Sequence, residues 1–326
     1  MDEFSFIRAI QPKYYKHSSV IKGIGDDGAV IQPSSGTQLV IATDTMVENV
    51  HFSLEYMTFE DVGFRVLAAN LSDLAAMGSQ PVYYLVNVSS PHSISNDELI
   101  RMMNGMKELA DHYHMDLIGG DTTSGQELVI TVTVFGEVQP NKKRLRSTAQ
   151  PNDIVFVTGY LGESGYGYQL IQDGYDESNR YFHQRHKRPE PRIDFVEVNQ
   201  SIQRLCLNDV SDGISSELNE IVQASGVSIL INWDRLPIHP SMIELEHKRL
   251  EKLVLSTGED FELVGTCSRS DWEHVQTNCK NNGINVTKIG EVLAYKHQKP
   301  TVYIEKNHVK KRLNQSGYQH GNDKGD

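Results

Sequence analysis

Apolar residues along the chain follow two periods. Leu39 to Thr43 is a short unbroken apolar run and reads as a buried strand. From Glu60 to Met77 the residues Phe64, Leu67, Ala68, Leu71, Leu74 and Ala75 recur as a helical stripe, with Gly78 as a stop signal and Pro81 just beyond. Val82 to Val88 reads as a strand. Ser95 and Glu98 form a capping-box signature for a helix running to about Tyr113. Leu128 to Val138 alternates as a strand. The segment 139–153 is polar and basic, is bracketed by Pro140 and Pro151, and marks a domain boundary. Beyond it come a strand near Ile154 to Thr158, a helix entered at Gly162, a charged loop over 173–192 and a strand at Leu205 to Val210. A helix from Ile214 to Ala224 and strands near Glu262 to Thr266, Val286 to Val292 and Thr301 to Ile304 complete the pattern. The expected fold is mixed αβ in two domains, 1–140 and 150–326.

Composition narrows the class. The chain has 326 residues, more than one small core needs, with 38% hydrophobic and 23% charged residues, which suits a soluble globular protein. No apolar run reaches the roughly 18–20 residues of a membrane span. Asp2 and Glu3 at the start do not fit a secretory signal, so a cytoplasmic location is expected, with no membrane partner. A net charge of -12 excludes a general nucleic-acid binder, which needs a basic surface. The basic clusters Lys142-Lys143-Arg144 and Arg185 to Arg192 read as solvated loops. Three cysteines with no C-x-x-C pair argue against zinc or a disulfide framework; Cys206 and Cys267 lie in apolar runs and read as core thiols.

The chemistry is suggested by a recurring arrangement, a short apolar run followed by a carboxylate beside Gly, Ser or Thr. It occurs at Gly23-Ile24-Gly25-Asp26-Asp27, Leu39 to Thr45 around Asp44, Leu117 to Thr123 around Asp121, and Leu207 to Gly213 with Asp209 and Asp212. Asp73 adds a carboxylate three residues after Asn70 in an apolar helix, where it calls for a partner or metal. Magnesium takes oxygen ligands, commonly one or two carboxylates plus substrate phosphates, so an acidic pocket can hold a nucleotide triphosphate through intervening metal ions. Each aspartate alone could cap a helix or close a turn. Together, strand-end carboxylates from distant segments are expected to converge at one edge of a sheet. The chain has no Walker loop, no dinucleotide fingerprint, no H-E-x-x-H, and at Gly162-Glu163-Ser164-Gly165 no nucleophile-elbow spacing.

These runs, with Asp44 to Phe52, Asn70 to Gly78, Gly119 to Thr123, Asp209 to Gly213 and Gly258 to Leu263, resemble thiamine-monophosphate kinases in order over nearly the whole chain. The resemblance implies ATP-dependent conversion of thiamine monophosphate to thiamine diphosphate with several Mg2+ ions. It also implies a two-domain fold of the aminoimidazole ribonucleotide synthetase type, and a homodimer built through the N-terminal domain. It implies that Asp27, Thr43, Asp44, Asp73, Asp121, Asp209 and Asp212 bind magnesium. Gly120, Asp121, Arg146 and Ser211 would contact ATP, with Asp121 and Arg146 as the catalytic pair. His51, Glu259 and Tyr318 would face the thiamine phosphate. The chain departs from the family pattern at Ser124, Thr148 and Thr257. Direct in-line transfer is expected, because the acceptor phosphate oxygen is already anionic. Another ATP-dependent ligase or cyclase of the same fold is an alternative, as are selenophosphate synthesis and a non-catalytic maturation factor. The last two rely on a reactive cysteine in the N-terminal segment and at the C-terminus respectively, and this sequence has Gly-Asn-Asp-Lys-Gly-Asp at its end and no cysteine before Cys206.

Overall fold

The structure is a computed structural model describing residues 3–25, 27–174, 176–294 and 299–317. The chain divides into two compact units, one of residues 1–74 and 79–141, the other of 75–78 and 142–326.

In the first unit, α1 (Glu3–Ile10) precedes two short paired strands, β1 (Val20–Lys22) and β2 (Val30–Ile31). Then come β3 (Gln38–Val47), α2 (Phe59–Ala76), β4 (Gln80–Ser90), α3 (Asn96–His112), β5 (Asp116–Ser124) and β6 (Val129–Val138). The four long strands form a sheet in the order β3-β6-β4-β5, antiparallel except for the parallel β4/β5 pair. Pleating separates its faces. Met46, Val86, Val132 and Val134 are buried on one face, whereas Ile41, Thr43 and Thr45 are exposed on the other. Helix α2 is apolar around most of its surface, with Val62, Val66, Leu67, Leu71 and Leu74 fully buried. Helix α3 starts with the capping box of Ser95 and Glu98.

The second unit contains β7 (Ile154–Thr158), α4 (Glu163–Asp173), α5 (Arg180–Lys187), α6 (Ile193–Val198), β8 (Cys206–Asp209), α7 (Ile214–Ser225) and β9 (Ser228–Asn232). It continues with α8 (His247–Ser256), β10 (Leu263–Cys267), α9 (Arg269–Asn281), β11 (Val286–Leu293), β12 (Val302–Lys306) and β13 (Val309–Arg312). Its seven-stranded sheet runs β13-β12-β9-β11-β7-β10-β8. Val155, Val157, Leu218, Ile229 and Val264 lie in its apolar core, and Cys206, Cys267 and Cys279 are buried free thiols.

Two expectations need correction. The stretch 173–192 is not an open loop, because it contains α5, and Arg185 and Arg192 within it are not solvated. Arg185 and Arg192 side chains are 11% and 15% exposed and both pair with Glu262, which is 0% exposed. Arg185 Nη2 donates to Glu262 Oε1 at 2.8 Å and Arg192 Nε to Oε2 at 2.6 Å. Arg144 is likewise buried, donating to the carbonyls of Asn199, Ile202 and Gln203. Buried guanidinium groups need such acceptors, since an unpaired buried charge costs several kcal/mol.

Helices α2 and α3 approach closely at Gly105, where an added Cβ would stand 1.9 Å from the Glu60 carbonyl oxygen. Gly105→Ala should therefore destabilise the protein by about 1–3 kcal/mol through overpacking, despite alanine's better helix propensity. Thermal denaturation checks this; a raised melting temperature would show that the two helices part without cost.

Candidate active site

Three groups of the expected residues take shape, each within one unit. The first lines a cavity of about 760 Å³ in the first unit. Asp27, Gly120 and Asp121 border it, with Phe6, Ile7, Ile24, Met103 and Leu117 as apolar walls. Gly120 is required by the β4/β5 pairing itself, since a Cβ there would meet the Val86 carbonyl oxygen at 1.9 Å.

The second group surrounds β3. The Asp44 N–H donates to Asn70 Oδ1 at 2.9 Å, and Asn70 is wholly buried on α2, its Nδ2 donating to the Val66 carbonyl. Asp73 follows one turn later on the same helix face. His51 Nδ1 accepts the Val47 N–H at 3.1 Å, which leaves Nε2 as the N–H of the neutral ring. Desolvation raises the Asp44 carboxyl above its ordinary range. Thr43 does not join Asp44: the pleat turns its hydroxyl to the opposite face, where it donates to the Val132 carbonyl at 3.0 Å.

The carboxylates do not gather at one edge of this sheet. Asp44 and Asp121 lie inside β3 and β5 rather than at strand ends, and these are the two outermost strands. With β6 and β4 between them, strand spacing alone separates their backbones by roughly 14 Å.

The third group belongs to the second unit. Asp209 ends β8 and is 3% exposed; Ser211 and Asp212 occupy the turn into α7. The Ser211 carbonyl accepts the Glu259 N–H at 2.7 Å, with Glu259 in a left-handed conformation at φ 67°. Arg146 Nε donates to Asn208 Oδ1 at 2.7 Å and its Nη1 pairs with Glu220 at 3.1 Å. Asn208 Nδ2 donates to Glu217, whose Oε1 accepts the Asp212 N–H at 3.1 Å. Burial, followed by repulsion from Asp209, pushes the Glu217 carboxyl up to about 9. Tyr318 lies outside the described residues; its neighbour Gly317 packs against the Asp212 carbonyl.

Asn208, Glu217, Glu220 and Asn70 were not anticipated. Asn208 and Asn70 each stand within a quoted motif, and Glu217 faces it from the first turn of α7. Among the described residues no three His, Cys, Asp or Glu side chains form a ready-made metal cage. Carboxylates held singly or in pairs do fit a hard divalent cation that keeps waters and takes further oxygens from phosphates.

Comparison with known proteins defines the class. Residues 25–138 match the N-terminal domain of AIR synthase related proteins, and residues 150–303 match the C-terminal domain of that group. The chain is 46% identical to the thiamine-monophosphate kinase of Bacillus subtilis (strain 168), over 98% of this chain and 99% of the relative. The crystal structure of thiamine-monophosphate kinase from Stenotrophomonas maltophilia K279a superposes with a TM-score of 0.82 at 31% identity, covering 92% of this chain and 95% of that one. The structure of AaThiL complexed with AMPPCP and TMP gives a TM-score of 0.76 at 28% identity, with 92% of each chain covered. The chain belongs to the thiamine-monophosphate kinase family.

Next to Glu259, Asp260 is buried and accepts the N–H groups of Gly162 at 2.6 Å and Ser164 at 3.1 Å, at the start of α4. Burial pushes its carboxyl up to about 7, with those N–H bonds and Arg185 pulling it back. The unfolded carboxyl ionises near pH ~4, so the contribution of Asp260 to stability falls as pH rises from there to about 7, then levels off. Urea denaturation of the wild type and Asp260→Asn across this range should show the wild type losing ground to the variant as pH rises. A difference moving the other way would contradict the shift.

Proposed function

We propose that this chain transfers the γ-phosphoryl group of ATP to thiamine monophosphate, forming thiamine diphosphate by direct in-line displacement. The observation that carries this reading is the 46% identity to the Bacillus subtilis thiamine-monophosphate kinase over 98% of the chain. The ligands of the AaThiL complex, AMPPCP and TMP, support the same donor and acceptor.

In this reading Asp27, Asp44, Asp73, Asp121, Asp209 and Asp212 provide oxygens for several magnesium ions, and Thr43, whose hydroxyl is turned to the opposite face, is left out of the set. Bound magnesium supplies neutralisation of phosphate charge and orientation of phosphate oxygens. Gly120, Asp121, Arg146 and Ser211 contact ATP. His51, Glu259 and Tyr318 face the thiamine phosphate, His51 through its Nε2–H. Arg146, steadied by Asn208 and Glu220, stabilises charge developing on the transferred group. The acceptor oxygen is already anionic, so the residues position the reactants and no general base is needed.

We also assign a homodimer, formed through the open face of the first unit's sheet, where Ile41 is 59% exposed and Thr43 and Thr45 are exposed beside it. Light scattering should give twice the 36.7 kDa chain mass; a monomer at micromolar concentration contradicts the assignment.

With MgATP and thiamine monophosphate, the protein should form thiamine diphosphate and ADP in equal amounts. ADP release without thiamine diphosphate, or no reaction, would overturn the kinase reading. Asp121→Asn should lower kcat by about 10²–10³-fold with an unchanged circular-dichroism spectrum. Wild-type turnover in that variant at limiting magnesium would remove Asp121 from the site.

A further inference from the structure

The segment between α1 and β1 grips the loop that carries Asp27. The Ile24 N–H donates to the Tyr15 hydroxyl at 2.7 Å, and Gln11 Nε2 donates to the Ile24 carbonyl at 3.0 Å. Both backbone polar groups of one loop residue are thus held by side chains of the same segment. The Tyr15 ring also fills the space above Gly23, where an added Cβ would fall 1.9 Å from the tyrosine hydroxyl oxygen. On its other side the ring packs with Val82, Tyr83 and Ile118 of β4 and β5. The segment is in turn fastened to the start of β5: Asp116, 3% exposed, accepts the Lys16 and His17 N–H groups at 2.8 Å each. A continuous set of contacts therefore runs from Asp116 through residues 15–17 to Gly23 and Ile24, at the start of the loop that carries Asp27. Asp121, across the cavity wall, lies five residues further along the same strand as Asp116.

We propose that Tyr15 and Gln11 are positioning residues that fix the 23–28 loop, and with it Asp27, relative to Asp121, and so set the affinity for MgATP. This rests on the reading that Asp27 and Asp121 serve the metal–nucleotide. A glycine-rich loop without such support would have to be ordered by the ligand, at an entropic cost that weakens binding. The two side chains remove that cost in advance, and neither lines the cavity that Asp27 and Asp121 border.

Tyr15→Phe keeps the ring packing and deletes only the hydroxyl; Gln11→Ala deletes the other bond. Each should raise hydrogen exchange in residues 23–28. Each should also raise KM for MgATP about three- to tenfold, the effect of one lost hydrogen bond. KM for thiamine monophosphate should stay within about twofold and the melting temperature nearly constant, which separates positioning from general destabilisation. Asp27→Asn serves as the reference. If it raises KM for MgATP while both other variants leave it unchanged, whatever the exchange rates do, the positioning role is overturned and the kinase reading stands. If Asp27→Asn itself leaves the MgATP dependence unchanged, the assignment of Asp27 fails and the proposal falls with it.

Discussion

Repulsion between carboxylates is the constraint around which this structure is arranged. The chain carries a net charge of -12 and receives its most important acidic groups from separate segments. Two bare carboxylates 4 Å apart repel by about 4 kcal/mol at the effective dielectric of a protein surface. The first unit avoids this by spacing: Asp44 and Asp121 sit on the two edge strands of a hydrogen-bonded ladder, and Asp73 is carried by a helix. The second unit packs Asp209, Asp212 and Glu217 more tightly, and there burial, followed by repulsion from Asp209, pushes the Glu217 carboxyl up to about 9. Asp44, Asp121 and Asp209 are carried on regular backbone, in β3, β5 and β8, and Asp73 on helix α2.

Three arginines of the second unit are committed elsewhere. Arg185 and Arg192 converge on Glu262, and Arg144 satisfies three backbone carbonyls. This buried pairing fastens α5 and the residues before α6 to the segment entering β10, the segment that also carries Glu259 and Asp260. Asp260 adds a second anchor through the first amides of α4. The strained φ of Glu259 is thereby sustained by neighbours whose burial and hydrogen bonds leave little freedom. Arg146 is the arginine placed among the acidic groups, half exposed and steered by Asn208 and Glu220.

Local signals made much of the fold legible. The helical stripe from Glu60 to Met77 corresponds to α2 at Phe59–Ala76, the capping box opens α3, and β7 spans Ile154–Thr158. Long-range pairing was not legible. β5 continues through Gly119, Gly120 and Asp121 to Ser124 because β4 supplies hydrogen-bond partners, although that composition reads as a turn. Arg185 and Arg192 resemble solvated charge because their partner, Glu262, lies about 70 residues away in the chain. Helix α9 shows only Trp272, Val275 and Cys279 as a buried stripe in a polar segment, too thin a pattern to read. At the candidate site the aspartates announced themselves through motif order, whereas Asn70, Asn208 and Glu217 emerged only from side-chain geometry. Tyr15 and Gln11 carry no motif at all.

In the proposed reaction, fixed carboxylates and one arginine position two phosphates for a single displacement, without a covalent intermediate on the protein. The stereochemical course at phosphorus tests this most directly. ATP made chiral at the γ-phosphorus with oxygen isotopes, turned over with thiamine monophosphate, should give thiamine diphosphate with inverted configuration at the transferred phosphorus. Net retention would require two successive displacements through a phosphorylated residue and would contradict the account.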